Sequence, residues 1–181
     1  MNWYALFVES GKEDLVSRLL GEAQILTPIN SFIPKKLVPE KKNGDFKDVL
    51  KILFPGYVFI QTLLTPDIYY NIRNIPKVHY FVYTGKYKQD QSYSWYSRIA
   101  NHEMNNILAL VDQDGVVRYS RIDIVDKQVK VLEGPLEGKE ELIKKVDKRK
   151  RRAKIELNLM GESRTLDVGV HISDKSCYLD T

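Results

Sequence analysis

EGPLEGKEELIKKVDKRKRR, Glu133 to Arg152, changes character halfway: it opens on a Gly-Pro turn with carboxylates and closes in a dense basic cluster. As a solvated tail it would leave a single domain before it. As the first turn and hairpin of a β domain, it would make the chain two domains. The sequence on either side favours the second reading. Short runs of strand length recur at 128–132, 141–146, 153–159 and 164–168, with turns at Gly134-Pro135, around Lys148 and at Gly161 between them. Four or five short strands in about 60 residues predict a small β-barrel, a size that can fold alone. Gly134-Pro-Leu-Glu-Gly138-Lys139-Glu140 is superficially a phosphate-binding loop, but its spacing is one residue short. Glu140 also stands where a Ser or Thr would meet Mg²⁺, and a carboxylate there repels phosphate.

The residues before this stretch read differently. Trp3 to Val8 alternates as a strand, and Ser10 and Glu13 have the spacing of a capping box for a helix carrying Leu15, Val16, Leu19, Leu20 and Ala23. Phe32 to Pro39 is extended, and Asn43-Gly44 predicts a hairpin. Val49 to Gln61, VLKILFPGYVFIQ, is β-rich around Pro55-Gly56. Thr65-Pro66 supplies an N-cap and first-turn proline for a helix with Ile68, Ile72 and Ile75, and Val78 to Tyr83 is a further strand. From Ser94, apolar residues at Tyr96, Ile99, Ala100, Met104, Ile107, Leu108 and Val111 return at helical spacing. Helices on a mainly antiparallel sheet give an α+β sandwich. Its end is marked by the turn Asp112-Gln-Asp-Gly115, with Gly115 to about Arg121 as a candidate linker.

The chain has 181 residues, net charge +4 and a single cysteine. One cysteine excludes an internal disulfide framework and fits a reducing cytoplasm. No apolar run approaches the roughly 18 residues a membrane span needs, and MNWYALFVES lacks the charged start of a signal peptide. Residues 139–154 hold nine Lys/Arg against three Asp/Glu, so this one segment carries the basic excess and the rest is slightly acidic. Such a cluster is either a solvated β-turn or a footprint for a polyanion.

Enzyme chemistry finds no support. His102-Glu103 begins an HExxH-like string, but Asn106 stands where the second zinc ligand belongs. His79 and His171 are isolated in sequence, Cys177 has no recognisable base, and no nucleophile elbow or Cys-His metal spacing is present. No cofactor or metal is expected. In FPGYVFIQ, Phe54 to Gln61, Tyr57 and Phe59 fall on one strand face and Val58 and Ile60 on the other. That aromatic face is either core or an apolar groove for a partner's helix.

Trp3-Tyr4, Leu53-Phe-Pro-Gly-Tyr-Val-Phe59 and Ile75-Pro-Lys-Val78 resemble the N-terminal domain of the NusG family. GPLEGKEELIKKVDKRKRRAKIEL with LMGESRTLDV resembles that family's KOW domain. The two matches run through nearly the whole chain in the family's order. The resemblance implies an N-terminal NGN domain at 1–113, a linker at 114–122 and an SH3-like KOW barrel at 123–181. It also implies a cytoplasmic, monomeric bacterial transcription elongation factor that holds the clamp helices of RNA polymerase in an apolar pocket and reduces pausing. Carried over by position, the pocket includes Phe54, Tyr57, Phe59 and Phe81. Tyr69 and Tyr70 lie toward the polymerase's opposite wall, and Arg73 and Lys77 approach non-template DNA unless they are ordinary solvated charge.

The KOW half departs from the housekeeping pattern. Housekeeping members carry a Phe-containing loop that meets Rho or ribosomal protein S10, whereas this loop is Leu136-Glu137-Gly138-Lys139-Glu140. The later turn, Met160-Gly161-Glu162-Ser163-Arg164, lacks their Phe-Gly-Arg pattern. The stretch therefore resembles the specialised LoaP antiterminators, and its lack of helical periodicity sets it apart from fold-switching RfaH. In LoaP-type members the KOW domain contacts a structured leader RNA. Lys144, Lys145, Lys148, Arg149, Lys150, Arg151, Arg152 and Lys154 are the residues suited to that contact. The alternatives are a housekeeping factor coupling polymerase to Rho or S10, and a KOW-containing ribosome-associated RNA-binding protein.

Overall fold

Alternation within Asn2–Val8 produces β1, which turns Tyr4, Leu6 and Val8 to one side and Trp3, Ala5 and Phe7 to the other. The strand pairs antiparallel with β5 (Tyr57–Thr62), setting Phe7 opposite Tyr57 and Ala5 opposite Phe59. With β2 (Asn30–Phe32) and β6 (Val78–Phe81) the sheet order is β2-β5-β1-β6. Two helices, α1 (Glu13–Glu22) and α2 (Pro66–Arg73), bring Val16, Leu20, Ile68 and Ile72 onto Tyr4, Leu6, Val8, Val58 and Ile60 in one buried cluster. Thr65 caps α2 as its sequence predicts, its Oγ1 accepting from the Ile68 N–H at 3.3 Å with Pro66 in the first turn.

The structure, a computed structural model, describes residues 1–23, 27–83, 98–126 and 128–173. Over the described residues the chain divides into two compact units. The first comprises Met1–Ile33, Ile52–Asn105 and Asn158–Glu162; the second comprises Pro34–Lys51, Asn106–Leu157 and the residues from Ser163 onward. Both halves of the α+β expectation are present: an antiparallel sheet with helices, and a five-stranded KOW-like half-barrel.

One local signal is overruled. The capping box at Ser10 and Glu13 does not form; Lys12 is the N-cap, without a side-chain cap bond. Glu13 instead points inward, 1% exposed, and its Oε1 accepts from the Gly56 N–H at 2.7 Å. The reason lies 43 residues away. Phe54 to Tyr57 is a tight turn closed by the Tyr57 N–H on the Phe54 carbonyl, with Gly56 at φ 83°. Its buried central N–H needs an acceptor, and leaving one unpaired costs about 1–3 kcal/mol. A solvated helix start loses less.

In the second unit, β3 (Lys35–Lys42) and β4 (Asp45–Ile52) form the hairpin expected at Asn43-Gly44, both central residues having positive φ. The stretch 114–122, expected as linker, carries β7 (Val116–Val117), parallel to β3, and the first residues of β8 (Ser120–Val125). Asp112 organises this approach, accepting from the Asp114 and Val116 N–H groups at 2.9 and 3.0 Å and from Arg118. The Arg118 hydrogen bond is the main reason its carboxyl lies below its ordinary range. With β9 (Gln128–Glu133), β10 (Ile143–Asp147), β11 (Arg152–Leu159) and β12 (Glu162–Ile172) the sheet order is β10-β11-β12-β8-β9. β9 to β12 follow the predicted runs, whereas β8 falls in none of them, and β11 buries Ala153, Ile155, Leu157 and Leu159 in strict alternation.

The third helix, α3, covers Asn101–Leu108, with Met104 and Ile107 fully buried. Ser94 and Tyr96 of the longer predicted helix lie outside the described residues, as does Cys177. Glu103, singled out only for its place after His102, has a structural use within the first unit. It is 6% exposed, and its two carboxylate oxygens accept the Met160 and Gly161 N–H groups at 3.0 and 2.9 Å. Both donors have positive φ, so their N–H groups converge on one acceptor. Glu103→Gln turns an NH₂ toward one of these donors and removes the charge. A loss of about 1.5–3 kcal/mol is expected, read as a lower urea midpoint.

Candidate functional site

The aromatic face of the first unit is built by cross-strand register. Phe7 lies between Tyr57 on β5 and Tyr80 on β6, edge-on to the first at 5.7 Å and stacked on the second at 5.1 Å, with the His79 ring 5.8 Å away. The three rings form a row across β5, β1 and β6, on the side of the sheet opposite the helix-packed cluster. Tyr57 is half-buried and Tyr80 is 48% exposed. A Cβ on Gly56 would come within 3.1 Å of the Phe7 ring, so the Pro-Gly turn must approach the row bare.

Of the four residues assigned to the pocket by position, Phe81 lies on the opposite side of the sheet from the other strand-face aromatics, Tyr57 and Phe59. Tyr57 is in the row, whereas Phe54 and Phe59 are buried and pack edge-on against each other at 5.6 Å. Phe81 faces the helix side, against Tyr4 and Tyr69. Phe7 and Tyr80 were not singled out from sequence, although the period-two pattern already placed Phe7 on the face away from Leu6.

On α2, Tyr70 is 66% exposed and edge-on to Tyr69 at 5.2 Å. Arg73 donates to the Tyr69 hydroxyl at 3.2 Å and lies over its ring. Lys77 has positive φ and pairs with Glu9 at 2.7 Å. That hydrogen bond is the largest cause holding the exposed Glu9 carboxyl below its ordinary range. The two cations therefore have local partners.

In the second unit the basic run forms the β10–β11 hairpin, its turn closed by the Lys150 N–H on Asp147 at 2.9 Å with Arg151 at φ 52°. The eight predicted RNA-contact cations separate by surroundings. Lys145, Lys148, Arg149, Lys150 and Lys154 are exposed. Arg151 is also exposed, its guanidinium 4.6 Å from the Phe46 ring centroid. Lys144 is 3.7 Å from Glu156. Arg152 donates to the Pro39 carbonyl at 2.8 Å and lies 3.8 Å from Glu40, so it acts as a structural cation.

Lys145 sits directly opposite Lys154 in the β10–β11 register. Like charges in facing positions oppose pairing, so stability does not account for them. They line a cleft of about 210 Å³ with Asp147, Lys150, Arg152 and Asp167. A larger cleft of about 580 Å³ opens on Lys148 and Arg151, with Asp123, Ile124 and His171 to Ser173 around it.

The loop after Gly134-Pro135 is folded inward. Leu136 is fully buried, its N–H bonded to the Ser120 hydroxyl at 3.0 Å, and Glu140 accepts from the Val131 N–H at 3.1 Å. A Cβ on Gly134 would lie 2.7 Å from the Tyr119 carbonyl oxygen, which fixes glycine there. Among the described residues no cluster of His, Cys, Asp and Glu could hold a metal, and no helix is long and apolar enough to cross a membrane.

Residues 1–108 match the family profile described as NusG, transcription termination factor. The transcription termination/antitermination protein NusG of Bacillus subtilis (strain 168) is 31% identical over 180 residues, covering 96% of this chain and 98% of its own length. The corresponding protein of Halalkalibacterium halodurans is 29% identical, covering 92% and 94%. A solved structure described as domain interaction in Thermotoga maritima NusG aligns over 93% of both chains with a TM-score of 0.52; at 20% identity it supports the fold alone.

Proposed function

Because this chain belongs to the NusG family of transcription termination/antitermination factors, which are not enzymes, we propose that it is a specialised, LoaP-like antiterminator of the cytoplasm. Residues 1–113 act as the NGN domain that grips the clamp helices of RNA polymerase, and 123–181 as the KOW domain that binds a structured leader RNA. The observation that carries the reading is the β10–β11 hairpin. It keeps seven exposed cations among its turn and strands, two of them lysines set face to face against the interest of the sheet. A polyanion that neutralises them turns that cost into affinity.

The Leu136 loop supports specialisation. Its apolar side chain is buried, Glu140 is committed internally and Glu137 is exposed, so it offers no apolar anchor to Rho or S10. Bridging both walls of the polymerase cleft lowers the population of paused, open states. Tyr70, exposed on α2, is suited to the far wall, and Arg73 and Lys77 to non-template DNA once their local partners are exchanged. The second reading, a housekeeping factor, is favoured by 31% identity along nearly the whole length of the Bacillus subtilis protein.

In vitro transcription across a terminator separates the two. Readthrough that rises with the factor only when the leader RNA is present in cis is the expected result. Readthrough unaffected by the leader refutes the RNA-recruited reading.

A further inference from the structure

We propose that the larger cleft of the second unit receives one unpaired nucleotide of the bound RNA, its base stacking on His171 and its phosphate lying between Lys148 and Arg151. This rests on the RNA-binding reading and specifies what part of the RNA the site takes.

At about 580 Å³ the cleft has the size of a small-ligand site rather than of a groove tracking a duplex. Its lining is mixed. Lys148 and Arg151 supply charge for a phosphate, Asp123 is buried to 8% exposure, and Ser173 adds a hydroxyl. Asp123 shares the lining with these cations, its Oδ1 accepting from the Ile124 N–H at 2.8 Å. A base edge carries donors as well as acceptors, and the Ser173 hydroxyl can meet either.

The stacking surface is prepared. His171 stacks on Tyr119 with ring centroids 4.3 Å apart and planes inclined by 27°. Tyr119 is fixed from two directions. Its hydroxyl donates to Asp48 at 2.6 Å, and its ring lies so close to β12 that a Cβ on Gly169 would be 2.4 Å from it. Burial, followed by the Asp48 hydrogen bond, pushes the Tyr119 hydroxyl well above its ordinary pKa. Tyr119 covers one face of the imidazole, while His171 itself is exposed and lines the cleft. A base added to the uncovered face extends a stack whose lower rings are already ordered, so little further ordering entropy is lost. Single-stranded and bulged positions are where proteins find bases free to do this.

The test uses the full chain and two RNA hairpins of equal length. One is fully paired in its stem; the other carries a single 2-aminopurine bulge. The wild type should bind the bulged hairpin about tenfold more tightly than the paired one and change the probe's fluorescence on binding. His171→Ala should abolish that preference and that signal while leaving affinity for the paired hairpin and its salt dependence unchanged. His171→Phe, which keeps a ring, should restore both. Equal wild-type binding of the two hairpins, or a His171→Ala effect equal on both, overturns the nucleotide cleft and leaves RNA binding standing. Failure of the wild type to bind either hairpin overturns both.

Discussion

Replacing Lys148, Arg149 and Lys150 together by glutamate is expected to weaken binding of a leader RNA hairpin by on the order of a hundredfold at about 50 mM salt. It should also flatten the dependence of log K on log salt by roughly two to three units. The three side chains are exposed in the turn between β10 and β11. Lys148 opens on the larger cleft and Lys150 on the smaller, so the turn serves both. A change of sign there both removes counterion release and repels the backbone. Stability should move by less than about 0.5 kcal/mol per substitution, because none of the three side chains is buried. Arg152 is excluded from the set for the opposite reason: it is held by the Pro39 carbonyl and Glu40, and its loss would disturb the fold. Filter binding or fluorescence anisotropy across a salt series measures the effect. Unchanged affinity with an unchanged slope would show that the hairpin turn is ordinary solvated charge.

That partition among the cations was not available from sequence. The density of Lys and Arg in 139–154 marks the segment, but only the register sets Lys145 against Lys154, and only the fold brings Pro39 to Arg152. Most strands are legible because their signals are local; β8 is not, since its first residues read as linker. Asn43-Gly44 demands a hairpin, Thr65-Pro66 a helix start, and Gly134, Lys148 and Gly161 mark the turns of the five-stranded sheet. Local signals failed where a distant group had the stronger claim. Glu13 had the spacing of a capping partner, yet the buried Gly56 N–H, 43 residues on, takes its carboxylate. Glu103 sits in a helix that periodicity announces, but its acceptance of two turn N–H groups depends on residues 57 and 58 positions later. The nucleotide cleft lies in the same blind region of sequence: Asp48, Tyr119, Gly169 and His171 come from three separate stretches.

The aromatic row offers the second large effect. Tyr57→Ser combined with Tyr80→Ser is expected to lower affinity for RNA polymerase by on the order of a hundredfold and to remove terminator readthrough, while leaving RNA hairpin binding intact. Central aromatic anchors at an interface cost about 2 kcal/mol or more each when truncated. The pair is chosen over the more obvious phenylalanines on structural grounds. Phe59 is fully buried and Phe54 nearly so, and truncating either opens a core cavity at about 3–5 kcal/mol. Lost activity in such a variant would report a lost fold. Phe81 packs on the helix side, and Phe7 supports the bare approach of Gly56, so neither is a clean probe. Tyr57 and Tyr80 flank Phe7 with part of each ring open to solvent; their removal forfeits two ring contacts, about 0.5–1.5 kcal/mol apiece beyond area. The domain should still fold, which far-UV circular dichroism and a urea midpoint verify. Retained polymerase affinity in a folded double variant would mean that the grip lies elsewhere on the first unit. Lost affinity with intact RNA binding would tie the two functions to two separate surfaces, since the row belongs to the first unit and the basic hairpin to the second.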